Sequence, residues 1–343
     1  MNKTALISGV TGQDGGYLAK LLLEKGYRVV GLYRRGATDT FSKLREHGIL
    51  DKIELTDFDL LEFSNICRLM QKYQPDEFYN LAAQSFVAAS WEEPIYTAEA
   101  DGIGVLNILE AIRVFAPHTK FYQASTSEMF GKVQTIPQNE KTPFYPRSPY
   151  GVAKLMAHWM CINYSESFNI FACCGLLFNH ESPMRGKEFV TRKITSHFAE
   201  MYTGKTDKPL ELGNMNAKRD WGFAGDYVEM MWKMLQQDKP DVYTISSGHN
   251  HSIREFVERC AEFCEWNIEW QGSDENEIGI DTKSGKVIVK VNPKFYRPAE
   301  VEQLLGDSSK AETVLGWKPK VDFKGLCKLM MEADIARAEK GVL

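Results

Sequence analysis

Near its start the chain reads Thr4-Ala5-Leu6-Ile7-Ser8-Gly9-Val10-Thr11-Gly12-Gln13-Asp14-Gly15, and this stretch decides the fold. Thr4 to Gly9 is short and apolar, as a buried strand is. The glycines then recur as G-x-x-G-x-x-G, and Tyr17 to Glu24 follows with Leu18, Leu21 and Leu22 at helical spacing. Arg28 to Tyr33 reads as a second strand. Strand, glycine-rich turn, helix and strand make a βαβ unit. Such a turn lets the backbone approach a pyrophosphate closely and points the amides of the helix start at the phosphates. Gly9, Thr11, Gly12, Gln13, Asp14 and Gly15 are therefore candidate dinucleotide contacts.

Outward from this unit the alternation repeats. Ile53 to Leu55 and Glu77 to Ala82 read as strands, with a helix over Phe63 to Tyr73 between them. A longer helix is expected from about Thr97 to Phe115, then buried strands at Phe121 to Ala124 and Ile170 to Phe178. The pattern predicts an α/β fold, a Rossmann-like doubly wound parallel sheet. After Phe178 the loops lengthen and basic residues cluster. Gly272 to Lys286 reads as a polar surface excursion, and helices return near Ile253 to Phe263 and Leu326 to Arg337. We therefore expect a dinucleotide-binding domain over residues 1–178, with a return at about 215–248 in which Val242 to Ser246 rejoins the sheet. A smaller mixed α/β C-terminal substrate domain is expected over 179–214 and 249–343.

Composition narrows the functional classes. The 343 residues are 43% hydrophobic and 25% charged with a net charge of -5, which offers no attraction to nucleic acid or anionic membrane. No apolar run is long enough to span a bilayer. The N-terminal residues lack the charged-then-apolar plan of a signal peptide, so a cytoplasmic location is expected. The seven cysteines include no CxxC pair and read as core thiols, and the scattered histidines complete no metal site.

The second strand ends in Leu32-Tyr33-Arg34-Arg35, where NAD-binding proteins place an acid for the ribose hydroxyls. A guanidinium pair suits a ribose phosphate instead, which favours NADP. Asp59 follows the third strand and could bond the adenine, while Leu81 to Ser85 would lie beneath the nicotinamide. Tyr150-Gly151-Val152-Ala153-Lys154 is a Y-x-x-x-K motif that puts both side chains on one helix face. The ammonium is expected to lower the phenol pKa, so that Tyr150 can take a hydroxyl proton as carbon gives up hydride. The fifth strand ends in Gln123-Ala124-Ser125-Thr126-Ser127-Glu128, at the edge where ligands collect in doubly wound sheets.

Together these residues resemble the extended short-chain dehydrogenase/reductase family. Thr126-Ser127-Glu128 is similar to the nucleotide-sugar 4,6-dehydratases that act on GDP-mannose, where simple epimerases and reductases generally lack the acid. The resemblance runs along almost the whole chain. It takes in Asn80 to Ser85, Phe121 to Gly131, Thr142 to Gly151, Leu177 to Pro183, Phe189 to Lys193, Leu212 to Asn214, Ala217 to Gly222 and Tyr296 to Pro298. It implies a lyase that oxidises C4 of GDP-mannose transiently, eliminates water across C5 and C6, and returns hydride to C6. Tyr150, helped by Thr126 and Lys154, would take the C4 hydroxyl proton, and Glu128 the C5 proton. It further implies cofactor contacts from Leu60, Leu81, Ala83, Ser85, Tyr96, Lys154, His180 and Arg185. Substrate contacts would come from Ser85, Asn179, Val190, Lys193, Arg219, Arg297 and Glu300. A homotetramer, or a dimer, is implied as well. The segment Gly36-Ala37-Thr38-Asp39-Thr40 departs from the family's serine-rich version, and Met184 stands where a second arginine can occur.

Three alternatives stay open at this level. A GDP-manno-heptose dehydratase would share the chemistry and differ in room around C6, with Phe86 to Trp91 as candidates for the difference. An NADP-binding regulator on the same fold would commonly have lost the tyrosine or lysine that this chain keeps. A reductase or epimerase would not need Glu128.

Overall fold

The computed structural model describes residues 2–296 and 304–343. Six strands open the chain in order: β1 (Thr4–Ser8), β2 (Arg28–Tyr33), β3 (Glu54–Asp57), β4 (Glu77–Asn80), β5 (Lys120–Thr126) and β6 (Ala172–Leu177). They are followed by β7 (Asn179–Glu181), β8 (Leu210–Leu212), β9 (Lys218–Phe223), β10 (Val242–Ile245) and β11 (Asn250–Ser252). The last are β12 (Ile268–Gln271), β13 (Ile278–Asp281) and β14 (Val287–Val291). The main sheet has the order β10-β6-β5-β4-β1-β2-β3, and every pairing in it is parallel.

A parallel sheet needs cover on both faces, and the strand residues alternate accordingly. In register across β1, β4 and β5, Leu6, Phe78 and Phe121 point to one core, while Ile7, Tyr79 and Tyr122 point to the other. The first core is closed by the helices Phe63–Tyr73, Gly104–Phe115 and Pro149–Phe168. The second is closed by Gln13–Glu24 and Ala224–Leu235. Each fully buried large side chain contributes roughly 1.5–3 kcal/mol.

Strand order reverses between β1 and β4. Chain leaving β1 and β2 is carried toward β3, whereas chain leaving β4 and β5 is carried toward β6. A crevice therefore opens at the C-terminal ends of β1 and β4. The remaining strands form a three-stranded sheet, β11-β9-β7, and a four-stranded sheet, β12-β13-β14-β8. These enclose a separate core with Phe198, Trp221, Phe256 and Met330. All seven cysteines are free, and no helix of the described residues is long and apolar enough to cross a membrane.

Three elements differ from the sequence reading. The first helix starts at Gln13 rather than Tyr17, because Gly15 and Gly16 are helical despite their poor propensity. The helix expected from Thr97 is interrupted by a π-helical turn over Glu99–Ile103, with Gly102 and Gly104 packed closely against neighbours. The excursion expected at Gly272 to Lys286 contains β13. There, bare Gly279 lets the Trp270 ring and Ile268 lie directly over the strand.

Gly15 shows how tightly the crevice is built. A Cβ there would sit 2.4 Å from the Gly9 carbonyl oxygen and 2.5 Å from Val10 Cα. Both are backbone and cannot give way. Gly15→Ala should destabilise the protein by about 1–3 kcal/mol, read as a lower urea midpoint with an unchanged m-value.

Candidate active site

A cavity of about 730 Å³ fills the crevice. Its floor is the glycine turn. Gly9 has φ +68°, a backbone conformation that favours glycine, and a Cβ there would come within 2.9 Å of Ala82 N. The Gly12 N–H donates to the Gly9 carbonyl at 2.9 Å and closes the turn. Beneath it, Ser8 Oγ donates to Asn80 Oδ1 at 2.6 Å and accepts from the N–H groups of Leu81 and Ala82 at 3.1 and 3.2 Å. Asn80 Nδ2 donates onward to Gln123 Oε1 at 2.8 Å. A bare cradle at a helix start fits the pyrophosphate of a dinucleotide.

One wall carries the acid–base groups. β5 ends at Thr126, whose Oγ1 accepts the Glu128 N–H at 3.2 Å and caps the short turn Ser127–Met129. Glu128 faces the cavity, and burial raises its carboxyl pKa while the opposing Arg219 guanidinium lowers it. Tyr150 lies in the first turn of the helix Pro149–Phe168, where Ser148 caps by accepting the Gly151 N–H at 3.0 Å. Lys154 is one turn on, with Nζ donating to the Ala124 carbonyl at 3.2 Å.

The electrostatics correct one expectation. The Tyr150 phenol is not lowered but raised, first by burial and next by the charge of Asp101, with Thr126 bonding pulling it back. Lys154 Nζ lies 5.8 Å from the centre of the Tyr150 ring and is bound to the Ala124 carbonyl. Burial lowers the pKa of Lys154 itself. Asp101 is a residue that the sequence reading missed. It lies in the π-helical turn behind the pair, and burial pushes its carboxyl up to about 6 against the pull of Lys154. Its only sequence signal is an acid beside glycine inside a stretch of helical spacing.

The opposite wall is built on ion pairs. His180 Nε2 meets Asp14 Oδ2 at 2.7 Å, and the imidazole stacks on Tyr227. Gln13 Nε2 donates to the His180 carbonyl, and Ser182 Oγ donates to Gln13 Oε1 at 2.7 Å, which ties the first helix to β7 and the loop after it. Arg185 pairs with buried Glu181 at 3.0 Å and lies over the Phe189 ring.

Of the sequence candidates, Gly9, Gly12, Gln13, Asp14, Gly15, Leu81, Ala83, Ser85, Thr126, Glu128, Tyr150, Lys154, Asn179, His180, Arg185 and Arg219 line this one cavity. Phe86, Val87, Ala88 and Trp91 line it too. Thr11, Arg34, Arg35, Asp59, Leu60, Tyr96, Val190 and Lys193 lie off its wall. Exposed Arg34 nevertheless donates to the Tyr96 hydroxyl at 2.6 Å, which joins two of the candidates at the end of β2. Asp59 Oδ1 accepts the Leu61 N–H, and Leu60 is buried. Val190 begins a helix, and Lys193 lies over the Phe295 ring at 4.2 Å. Arg297 and Glu300 lie outside the described residues.

Comparison with known proteins agrees with this architecture. A family model described as GDP-mannose 4,6 dehydratase matches residues 6–330. The GDP-mannose 4,6-dehydratase of Yersinia enterocolitica is 49% identical over 359 aligned positions, spanning 99% of this chain and 96% of the relative. Among solved structures, dTDP-glucose 4,6-dehydratase of Bacillus anthracis in complex with NAD superposes with a TM-score of 0.80 at 18% identity, covering 99% of this chain and all of that one. The RMD protein of Pseudomonas aeruginosa complexed with NADPH gives a TM-score of 0.77 at 21% identity, covering 98% of this chain and all of that one. At these identities the structural likenesses speak for the fold.

The Asp14–His180 pair makes stability depend on pH. Burial opposes both charges, but the partner together with neighbouring hydrogen bonds, from Gln13 to Asp14 and from His180 to the Phe178 carbonyl, more than offsets it, so Asp14 sits below and His180 above its ordinary value. A raised histidine stabilises fully below its unfolded value of about 6.5, and the contribution fades as pH rises through the folded value. The lowered carboxyl contributes above its unfolded value of about 3.9 and is lost as pH falls through the folded one. The melting-temperature difference between wild type and His180→Gln should therefore be largest between about pH 4 and 6.5 and shrink above that window.

Proposed function

This chain belongs to the GDP-mannose 4,6-dehydratase family, and on that premise we propose that it is an NADP-dependent lyase converting GDP-mannose to GDP-4-keto-6-deoxymannose and water. The observation that carries the reading is Glu128, a half-buried carboxyl sharing one cavity with Tyr150, Lys154 and the glycine cradle. Simple reductases and epimerases generally lack an acid there, whereas an elimination needs a group to take the C5 proton.

In this reading Tyr150, hydrogen-bonded by Thr126, accepts the proton of the sugar C4 hydroxyl. Held in the glycine cradle, a nicotinamide cofactor would supply a hydride acceptor for C4 and a hydride donor for C6. The C4 ketone makes the C5 proton acidic. Glu128 removes that proton and passes it to the departing C6 hydroxyl, which leaves as water, and the proton first taken from the C4 hydroxyl ends on C5. A carboxyl whose pKa is raised by burial suits both halves of this exchange. Lys154 and the Gly9–Gly15 turn would hold the ribose and pyrophosphate. Arg34 and Arg35 would bind the 2′-phosphate of NADP. Arg219, Asn179 and Lys193, with Arg297 and Glu300, would hold the GDP-sugar.

We read residues 179–214 and 249–343 as the substrate-binding part. The free cysteines support a reducing, cytoplasmic setting. Self-association as a tetramer or dimer is supported by the exposed apolar side chains Val152, Trp159 and Phe168 along one helix. GDP-manno-heptose is the second substrate to test, because Phe86 and Trp91 border the cavity where extra bulk on C6 would have to fit.

The test is mass spectrometry of product from GDP-mannose and GDP-manno-heptose in parallel, with substoichiometric NADP+. Loss of one water from the mannose substrate over many turnovers per cofactor is expected. Dehydration of the heptose alone changes the substrate, and dehydration of neither overturns the reading. Glu128→Gln should retain nucleotide binding and lose turnover by about 10²–10⁴-fold. Arg35→Ala should weaken NADP+ binding by roughly tenfold or more while leaving NAD+ binding little changed, as calorimetry can read.

A further inference from the structure

A carboxylate lies in the C-terminal helix Phe323–Glu339, one turn from Met330, in a helix whose Met330 and Met331 share an apolar core with Ile194 and Phe198. Asp334 is 0% exposed, and both of its oxygens are bonded. Oδ2 accepts from Arg192 Nε at 2.8 Å and from Thr195 Oγ1 at 2.7 Å, both on the helix Val190–Tyr202. Oδ1 accepts from Arg337 Nη1 at 2.7 Å. A buried ion pair seldom adds more stability than apolar side chains of the same volume would. Two helices that already share an apolar core do not need one to stay together. What such a group does supply is direction, because each bond fixes an angle as well as a distance.

Both arginines pass that direction on to one loop. Arg192 Nη1 donates to the carbonyls of Pro183 and Arg185, at 2.7 and 3.0 Å. Arg337 Nη2 donates to Met184 Sδ at 3.8 Å. Three consecutive loop residues are thus held by two guanidinium groups anchored on Asp334. Of the three, Arg185 lines the cavity. Its own side-chain contacts leave its aim open. Nε lies 3.0 Å from Glu181 Oε2 yet makes no hydrogen bond among the described residues, and the guanidinium lies over the Phe189 ring at 3.4 Å. An ion pair without a directed bond and a ring contact both tolerate rotation. The place of the Arg185 backbone therefore decides where the guanidinium points.

We infer that Asp334 is a positioning residue for Arg185: through Arg192 and Arg337 it sets the backbone of residues 183–185 and so aims the Arg185 guanidinium at the dinucleotide. The inference rests on the proposed contact of Arg185 with NADP. It also accounts for Arg192, a cation beside the site that is 7% exposed and bonded to Asp334 and the loop rather than open to the cavity.

The test is Asp334→Asn, which keeps the volume but leaves one acceptor oxygen where there were two. NADP+ affinity, read by calorimetry, should fall about tenfold. In an Arg185→Ala background the same change should cost less than about twofold, because the aim of an absent side chain no longer matters. In the unliganded protein the Arg185 amide donates to the Ser182 carbonyl at 3.0 Å. Its hydrogen exchange should quicken about tenfold or more beyond any change in the amides of β4. Unchanged affinity, or an equal loss of affinity in both backgrounds, overturns the inference whatever the melting temperature. Should Asp334→Asn fail to fold, Arg192→Lys takes its place under the same readings. It keeps a positive charge opposite Asp334, but one ammonium lacks the planar fork that reaches the carboxylate and both carbonyls together. If the wild-type protein binds no NADP+, the proposed cofactor fails instead, and unchanged exchange at the Arg185 amide then overturns the positioning role by itself.

Discussion

Three buried polar side chains in a row, Ser8, Asn80 and Gln123, hold together the strand ends on which the rest of the molecule depends. They bridge β1, β4 and β5 where strand order reverses and the connecting chain parts to opposite sides. Apolar packing is indifferent to small slips along a strand. A buried amide with one matching carbonyl is not, because a lost partner leaves an unsatisfied group costing about 1–3 kcal/mol. Ser8 adds a further constraint by accepting from the Leu81 and Ala82 amides, so the chain leaving β4 bends along the rim. The glycine turn, the segment Leu81 to Ser85 and the turn bearing Thr126 and Glu128 extend directly from these three strands. Their mutual placement follows from that buried row.

Around this frame the cavity is charged but balanced. Asp14 faces His180, Glu181 faces Arg185, Glu128 feels Arg219, and Asp101 feels Lys154. Charges of this kind are costly to bury, and the opposite sign nearby limits the cost. In every pair but Glu181–Arg185 the partners come from segments far apart in the chain. The balance exists only in the folded state, which is also where fixed dipoles and charges act on a bound molecule without reorganising.

What the sequence revealed follows the same physics. β6 is buried along its length and β4 likewise, so both read directly as strands, and the glycine turn and Y-x-x-x-K motif lay beside such runs. Elements whose local residues disagree with their final state were harder to see. Gly15 and Gly16 hid the start of the first helix, and the polar surroundings of Ile278 and Ile280 hid β13. Asp101 escaped because a π turn breaks the 3.6-residue period on which such readings rely. The direction in which the Tyr150 phenol moves was missed for a different reason. Motif spacing shows that lysine is near, but burial and the approach of Asp101 are properties of packing. The influence of Arg219 on Glu128 depends on β9 lying beside β7, a contact with no local signature.

The two acid–base groups are also linked mechanically. Gly151 follows Tyr150 directly, and a Cβ on it would lie 2.9 Å from the Glu128 carbonyl oxygen. The backbone of the catalytic helix therefore rests on the turn that carries Glu128. Ser148 fixes the helix start by capping Gly151, and Thr126 fixes the turn by capping Glu128. Each cap is worth about 1 kcal/mol, yet together they join the base and the acid through backbone rather than through flexible side chains. A reaction that moves a proton at one carbon and another at its neighbour needs the two groups at a constant separation. This contact supplies that constancy, and it explains why glycine occupies the position next to the catalytic tyrosine.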